Sequence, residues 1–134
     1  MELEVIQNKI FEIRGFKVML DFDLALLYNV ENKALKQSIR RNINRFPNDF
    51  MFELSEVEFE SLRSQIVTSN RGGVRYMPFA FTEQGIAMLS SILNSEKAIE
   101  VNISIIRAFV TMRQFTLTYS ELKTRIEAIE SQFP

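Results

Sequence analysis

From Ser95 to Gln132 the chain contains neither glycine nor proline, and apolar or small residues recur at Ala98, Val101, Ile105, Ala108, Met112, Phe115, Tyr119, Leu122, Ile126, Ile129 and Phe133. This 3,4,3,4 spacing is a heptad seam, which a long helix presents as one stripe. Ile99, Ile103, Ile106, Phe109 and Val110 crowd the first half of the same segment, leaving it apolar on too many sides for a solvated coiled coil. We therefore expect the first half to be buried in a domain and the part after Phe115 to project. Phe115, Tyr119, Leu122, Ile126 and Ile129 are the expected dimerisation stripe. The stripe is still in register at Pro134, so the native helix is expected to continue.

Ahead of the seam the pattern mixes strands and short helices. Two β-like runs between residues 4 and 20, one ending near Ile13 and one from Phe16 to Leu20, flank Arg14-Gly15 as a tight turn and predict a hairpin. Asp21 or Asp23 is placed to cap a helix over Leu24 to Tyr28, and Glu31 or Asn32 to cap a second from Lys33 to about Asn44, stopped by Pro47. Asp49 to Leu54 alternates as a strand. Ser55 with Glu58 forms a capping box opening a helix whose Phe59, Leu62 and Ile66 share a face. Thr68 to Gly73 reads as a polar loop and Val74 to Phe81 as β-like. Thr82 is expected to cap a helix to about Leu93, and Ser95 the last one. With 134 residues and 46% hydrophobic content, one core is the expectation. The division is a body over 1–113 and a helical extension over 114–134.

Composition removes whole classes of chemistry. The chain has no cysteine and no histidine, which excludes a disulfide framework, a thiolate zinc site, a cysteine nucleophile and the usual general base. The start, Met1-Glu2-Leu3-Glu4, is acidic where a signal peptide is basic, and no apolar run approaches the ~18 to 20 residues of a membrane span. A cytoplasmic, non-membrane protein is expected.

Sixteen Lys and Arg against 17 Asp and Glu leave a net charge of −1, so the chain is no general coat for nucleic acid. Its charges are nonetheless segregated. Between Glu31 and Asp49 lie Lys33, Lys36, Arg40, Arg41 and Arg45 with no acid, and between Glu60 and Glu83 lie Arg63, Arg71 and Arg75.

Residues 21 to 39 fit a helix-turn-helix pattern, with Ala25 small at the crossing, Asn29 at the turn, and Leu24, Tyr28, Val30 and Leu35 as apolar supports. At ~100° per residue, Leu35, Ile39, Ile43 and Phe46 share one arc of the second helix, while Lys33, Lys36, Gln37, Arg40, Arg41 and Asn44 share the opposite one. Arg and Lys suit phosphates and guanine edges, and Asn and Gln suit adenine, so that face, with Asn32 at its start, has the chemistry of major-groove reading. A plain solvated helix face is the competing account. Arg71 and Arg75 sit on a Gly72-Gly73 loop that reads either as a wing on the phosphate backbone or as a simple connection. With no Lys-Ser/Thr after those glycines and no G-x-G-x-x-G, they are not a nucleotide cradle. Asp21, Asp23, Asp49, Glu53, Glu56, Glu58 and Glu60 read as caps and first-turn acids rather than Mg²⁺ ligands. The many phenylalanines follow core periodicity rather than marking a single-strand stacking surface.

Three stretches carry a resemblance. They are IRGFKVMLDFDLALLYNVENKALKQSIRRNINRFPNDFMFEL from Ile13, LRSQIVTS from Leu62, and YMPFAFTEQGIAMLSSILNSEKAIEVNISIIRAFV from Tyr76. They resemble the Orf-six N-terminal domain family of phage and bacterial proteins, related to KilA-N and Bro-N antirepressor-type domains, over roughly residues 5 to 113. The resemblance implies sequence-specific binding to double-stranded DNA in phage or mobile-element regulation, with no catalytic residues and no cofactor.

The resulting expectation is an α+β fold, helix-turn-helix or winged-helix-like, with a small antiparallel sheet and a long C-terminal helix. Its function is DNA binding as a homodimeric transcriptional regulator rather than catalysis. The alternative is an antirepressor-type module acting on another regulatory protein.

Overall fold

A computed structural model describes residues 3–64 and 76–132. The elements in order are α1 (Leu3–Gln7), β1 (Phe11–Ile13), β2 (Phe16–Leu20), α2 (Asp21–Tyr28), α3 (Asn32–Arg41), a 3-10 turn (Ile43–Arg45), β3 (Met51–Glu53), α4 (Glu56–Arg63), β4 (Phe79–Phe81), α5 (Glu83–Leu89) and α6 (Glu96–Gln132).

The four strands form an antiparallel sheet in the order β1-β2-β4-β3. Pairing of Ile13 with Phe16 closes the expected hairpin, and both turn residues are left-handed, Arg14 at φ 56 and Gly15 at φ 80. That is the backbone sense that suits the right-handed twist of a two-residue hairpin. β4 lies between β2 and β3, with Leu20 opposite Ala80 and Phe52 opposite Ala80 on its other side.

Successive strand residues point to opposite faces, which sorts the core into two. Met19, Met51, Phe79 and Phe81 join the main core with Ile6, Leu24, Leu35, Ile39, Ile86 and Ile105. Val18, Leu20, Phe52 and Ala80 face the other way onto Phe59 and Leu62 of α4. The sheet is thus a middle layer, with α4 on one face and the remaining helices on the other.

Several expected local features stand. Ser55 accepts from the Glu58 amide and Glu58 from the Ser55 amide, completing the capping box, while Thr82 and Ser95 cap α5 and α6. Asn29 is left-handed at φ 60 and ends α2. Others are corrected. Residues 3 to 7 are helical rather than β-like, because Ile6 at helical spacing from Ile10 inserts into the core beside α6. Neither Asp21, Asp23, Glu31 nor Asn32 supplies a side-chain cap: the cap positions are Leu20 and Glu31, without side-chain hydrogen bonds. α5 stops at Leu89, where the Ser91 hydroxyl donates to the Met88 carbonyl and the chain turns. Ile66 and the loop 68–73 lie outside the described residues.

α6 runs 37 residues without a break. Ala98, Val101, Ile105, Ala108 and Phe109 are buried, Met112 is half-buried, and every residue from Arg113 to Gln132 is exposed. Burial therefore ends just before the expected point of projection. Ile99 and Ile103, expected on the buried side, are in fact exposed, because α1 and the body cover other faces of the helix.

Arg14, at the hairpin tip, reaches across to α4. Its guanidinium donates to both carboxylate oxygens of Glu58, at 2.7 and 2.9 Å, and lies over the Phe52 ring. The Arg14 hydrogen bond first, then the Ser55 amide, lower the Glu58 carboxyl from 4.5 to about 2. A depressed folded value means the stabilisation is present above the unfolded carboxylate range and lost as pH falls toward 2. In thermal melts, Glu58→Gln should be a few degrees less stable than the parent near pH 6, small because the pair is solvent-screened, and equal to it near pH 2. A gap that persists unchanged at pH 2 would assign the effect to packing.

Candidate nucleic-acid interface

α2 and α3 are joined by the short turn Asn29-Val30-Glu31, with the Val30 amide donating to the Ala25 carbonyl. Ala25, Leu24, Tyr28 and Leu35 are buried as expected of apolar supports, whereas Val30 is exposed and supports nothing. The Tyr28 hydroxyl donates to the Asn102 side-chain oxygen, and Asn102 donates to Ser90 at 2.7 Å, which ties the end of α2 to α6. Burial raises the Tyr28 phenol well above its ordinary range, so it stays a neutral donor.

On α3, Lys33, Gln37, Arg40 and Arg41 are exposed, and Leu35 and Ile39 are buried. The basic and apolar arcs separate as expected, with four corrections. Lys36 is not on the open face. It is buried, its ammonium 3.2 Å from Asp21 Oδ2, donating to the Met77 carbonyl at 3.1 Å and resting 4.8 Å from the Phe79 ring centroid. On the helical projection it sits at the margin between the arcs, where a long flexible stem can turn inward toward a buried anion. Asn32 is half-buried with its side-chain oxygen turned inside, so it contributes at most an edge of the face. Ile43, expected inside, is exposed, because the α-helix ends at Arg41 and the tighter 3-10 turn rotates it outward while Phe46 still reaches the core. Asn44 is exposed on that turn rather than on α3.

The Asp21–Lys36 pair anchors this helix. Asp21 Oδ2 also accepts the Phe79 amide at 3.0 Å, so one carboxylate joins α2, α3 and β4. Burial raises the Asp21 carboxyl above its ordinary value, offset in part by the Phe79 amide and Lys36. Arg40 leans back over Phe79, 5.7 Å from the ring centroid, leaving its guanidinium exposed.

Arg45 belongs to the same exposed set, although the helical arc alone leaves it out of the expected site; it donates to Ser91 at 3.2 Å. Its place in the acid-free charge run is the signal that points to it. Arg71 and Arg75 lie outside the described residues. Among the described residues, no three of the acids come together as a metal site, and no helix is long and apolar enough to cross a membrane.

The domain is therefore an α+β unit that presents one basic, amide-bearing helix from a three-layer body. The ORF6N domain family matches residues 8–92, and the chain belongs to that family. No curated protein and no solved structure matches it. The folded body runs past the matched segment, since Val101, Ile105, Ala108 and Phe109 of α6 complete the same core.

Proposed function

We propose that this domain binds double-stranded DNA sequence-specifically, as a phage- or mobile-element-type transcriptional regulator with no catalytic role, through the outer face of α3. The observation that carries this reading is a helix with Lys33, Gln37, Arg40 and Arg41 exposed together, free of acids, while Leu35, Lys36 and Ile39 lock its other side to the body. Such a helix offers guanidinium and amide groups to base edges and phosphates without ordering a loop on binding. Asn44 and Arg45 extend the face at its end. The α2–α3 pair serves as the helix-turn-helix, and Arg71 and Arg75, outside the described residues, are further candidates for phosphate contact. The net charge of −1 makes the local patch, not the whole surface, the source of affinity.

The exposed stripe of Phe115, Tyr119, Leu122, Ile126 and Ile129 supplies self-association, which a single short recognition helix needs for tight binding. It also supports a second reading, in which the stripe docks on another regulatory protein. Retention on random duplex DNA at low salt separates the two, since a purely protein-binding module flows through.

Arg40→Ala with Arg41→Ala should leave the melting temperature near that of the parent. If both side chains bind phosphates, the double variant flattens the log-log salt dependence of DNA binding by about 2; a side chain that reads a base edge instead costs roughly 1 to 3 kcal/mol when truncated. Unchanged affinity and slope would remove α3 from the interface.

A further inference from the structure

Resting on the proposed binding of DNA through α3, we infer a division of labour on that helix: Gln37 reads an adenine in the major groove, and Lys33, Arg40 and Arg41 around it hold phosphates. The exposed residues of α3 are Lys33, Ala34, Gln37, Arg40 and Arg41. At ~100° per residue they cover an arc of roughly 120°, and Gln37 falls at its middle, opposite the buried Leu35 and Ile39. That middle line is the crest of the helix, farthest from the body. Lys33 and Arg40 flank the crest on the side of the buried Lys36, and Arg41 flanks it on the other side. Arg40 is held to its flank by the Phe79 ring, 5.7 Å from its guanidinium. Of the two amides on α3, Asn32 turns its oxygen inside, which leaves Gln37 as the exposed one.

A helix enters the major groove with its crest toward the base edges and its flanks toward the phosphates of the two strands. A cation on a flank meets phosphate whatever the sequence. The amide at the crest has no charge to draw it to phosphate, but it offers a donor and an acceptor side by side. Adenine presents the matching pair, with N7 accepting and the N6 amino group donating, whereas guanine presents two acceptors at the same edge. The Gln37 side-chain nitrogen therefore donates to N7 and its oxygen accepts from N6.

Selection of bound sequences from a random duplex library, run with the parent and with Gln37→Ala, tests this assignment. The parent should select an A·T pair at one position per half-site, and the variant should lose its preference at that position and no other. On a duplex carrying one selected half-site, the variant should bind about 5- to 150-fold more weakly than the parent. Its affinity for random duplex, its salt slope and its melting temperature should match the parent's, because an exposed neutral amide neutralises no phosphate. Replacing the selected adenine by its 7-deaza analogue, which lacks the N7 acceptor, should weaken the parent and leave the variant unaffected. If no position relaxes, if the one that relaxes is not A·T, or if the variant loses random duplex equally, Gln37 is not the adenine reader. Those results leave α3 in the interface wherever Arg40→Ala with Arg41→Ala still weakens binding. A parent chain that duplex DNA does not retain at low salt overturns DNA binding and this assignment together.

Discussion

Gly85→Ala is expected to cost at least about 3 kcal/mol and to lower the melting temperature on the order of 10 °C, although alanine is the better helix former. Gly85 sits inside α5, where its missing side chain admits the backbone of the segment before β3. A Cβ there would lie 2.0 Å from the Phe50 carbonyl oxygen and 2.9 Å from its carbon. That carbonyl has no freedom to retreat. It accepts the Thr82 amide at 3.0 Å and the Thr82 hydroxyl at 3.2 Å, and the Thr82 hydroxyl also holds the Asp49 carbonyl at 2.8 Å and caps α5. The gain of about 1 kcal/mol from placing alanine in a helix is small beside a backbone clash. Gly15→Ala is the informative contrast. At φ +80 it is strained, yet nothing lies within 4 Å, so its cost should stay near 1 to 2 kcal/mol. Equal losses in the two variants, measured by chemical denaturation, would mean that the close approach of Phe50 is not what makes Gly85 necessary.

Lys36→Met should destabilise the domain by about 3 to 5 kcal/mol, the usual consequence of removing one partner of a buried ion pair. The methionine fills much of the lysine's stem volume, so the loss reports the charge left behind on Asp21, whose carboxylate is sealed beneath α3. The pH dependence has a defined sign. Burial already raises the Asp21 carboxyl above its ordinary value, and removing the neighbouring cation raises it further. A group raised in the folded state favours folding below its unfolded value of about 3.8, and that advantage is lost as pH rises through the folded value. The variant should therefore be penalised more at pH 7 than at pH 4. Asp21→Asn added to Lys36→Met should recover part of the loss, since an amide oxygen can still accept from the Phe79 amide. A variant of unchanged stability that binds DNA poorly would return Lys36 to the interface and end its role as an anchor.

Much of this protein was legible locally. Arg14-Gly15 as a turn, Asn29 ending α2, the Ser55–Glu58 box and the Ser95 cap each depend on residues within a few positions of one another, and short-range sterics and hydrogen bonds decide them. The α6 seam was legible for a related reason: helical periodicity repeated over many turns outweighs any single misplaced side chain. The limits appear where a residue's direction is settled by a distant partner. An arc counted along α3 places Lys36 with the other basic residues, but Asp21 and the Met77 carbonyl, brought in by the sheet, draw it inside. Ile43 fits an ideal α-helical arc, and turns outward only because the helix tightens at its end. Periodicity assigned α3 its two faces; the tertiary structure decided which marginal side chains crossed between them, because a buried carboxylate 58 residues from Phe79 in sequence requires its donors and its cation wherever the chain brings them together.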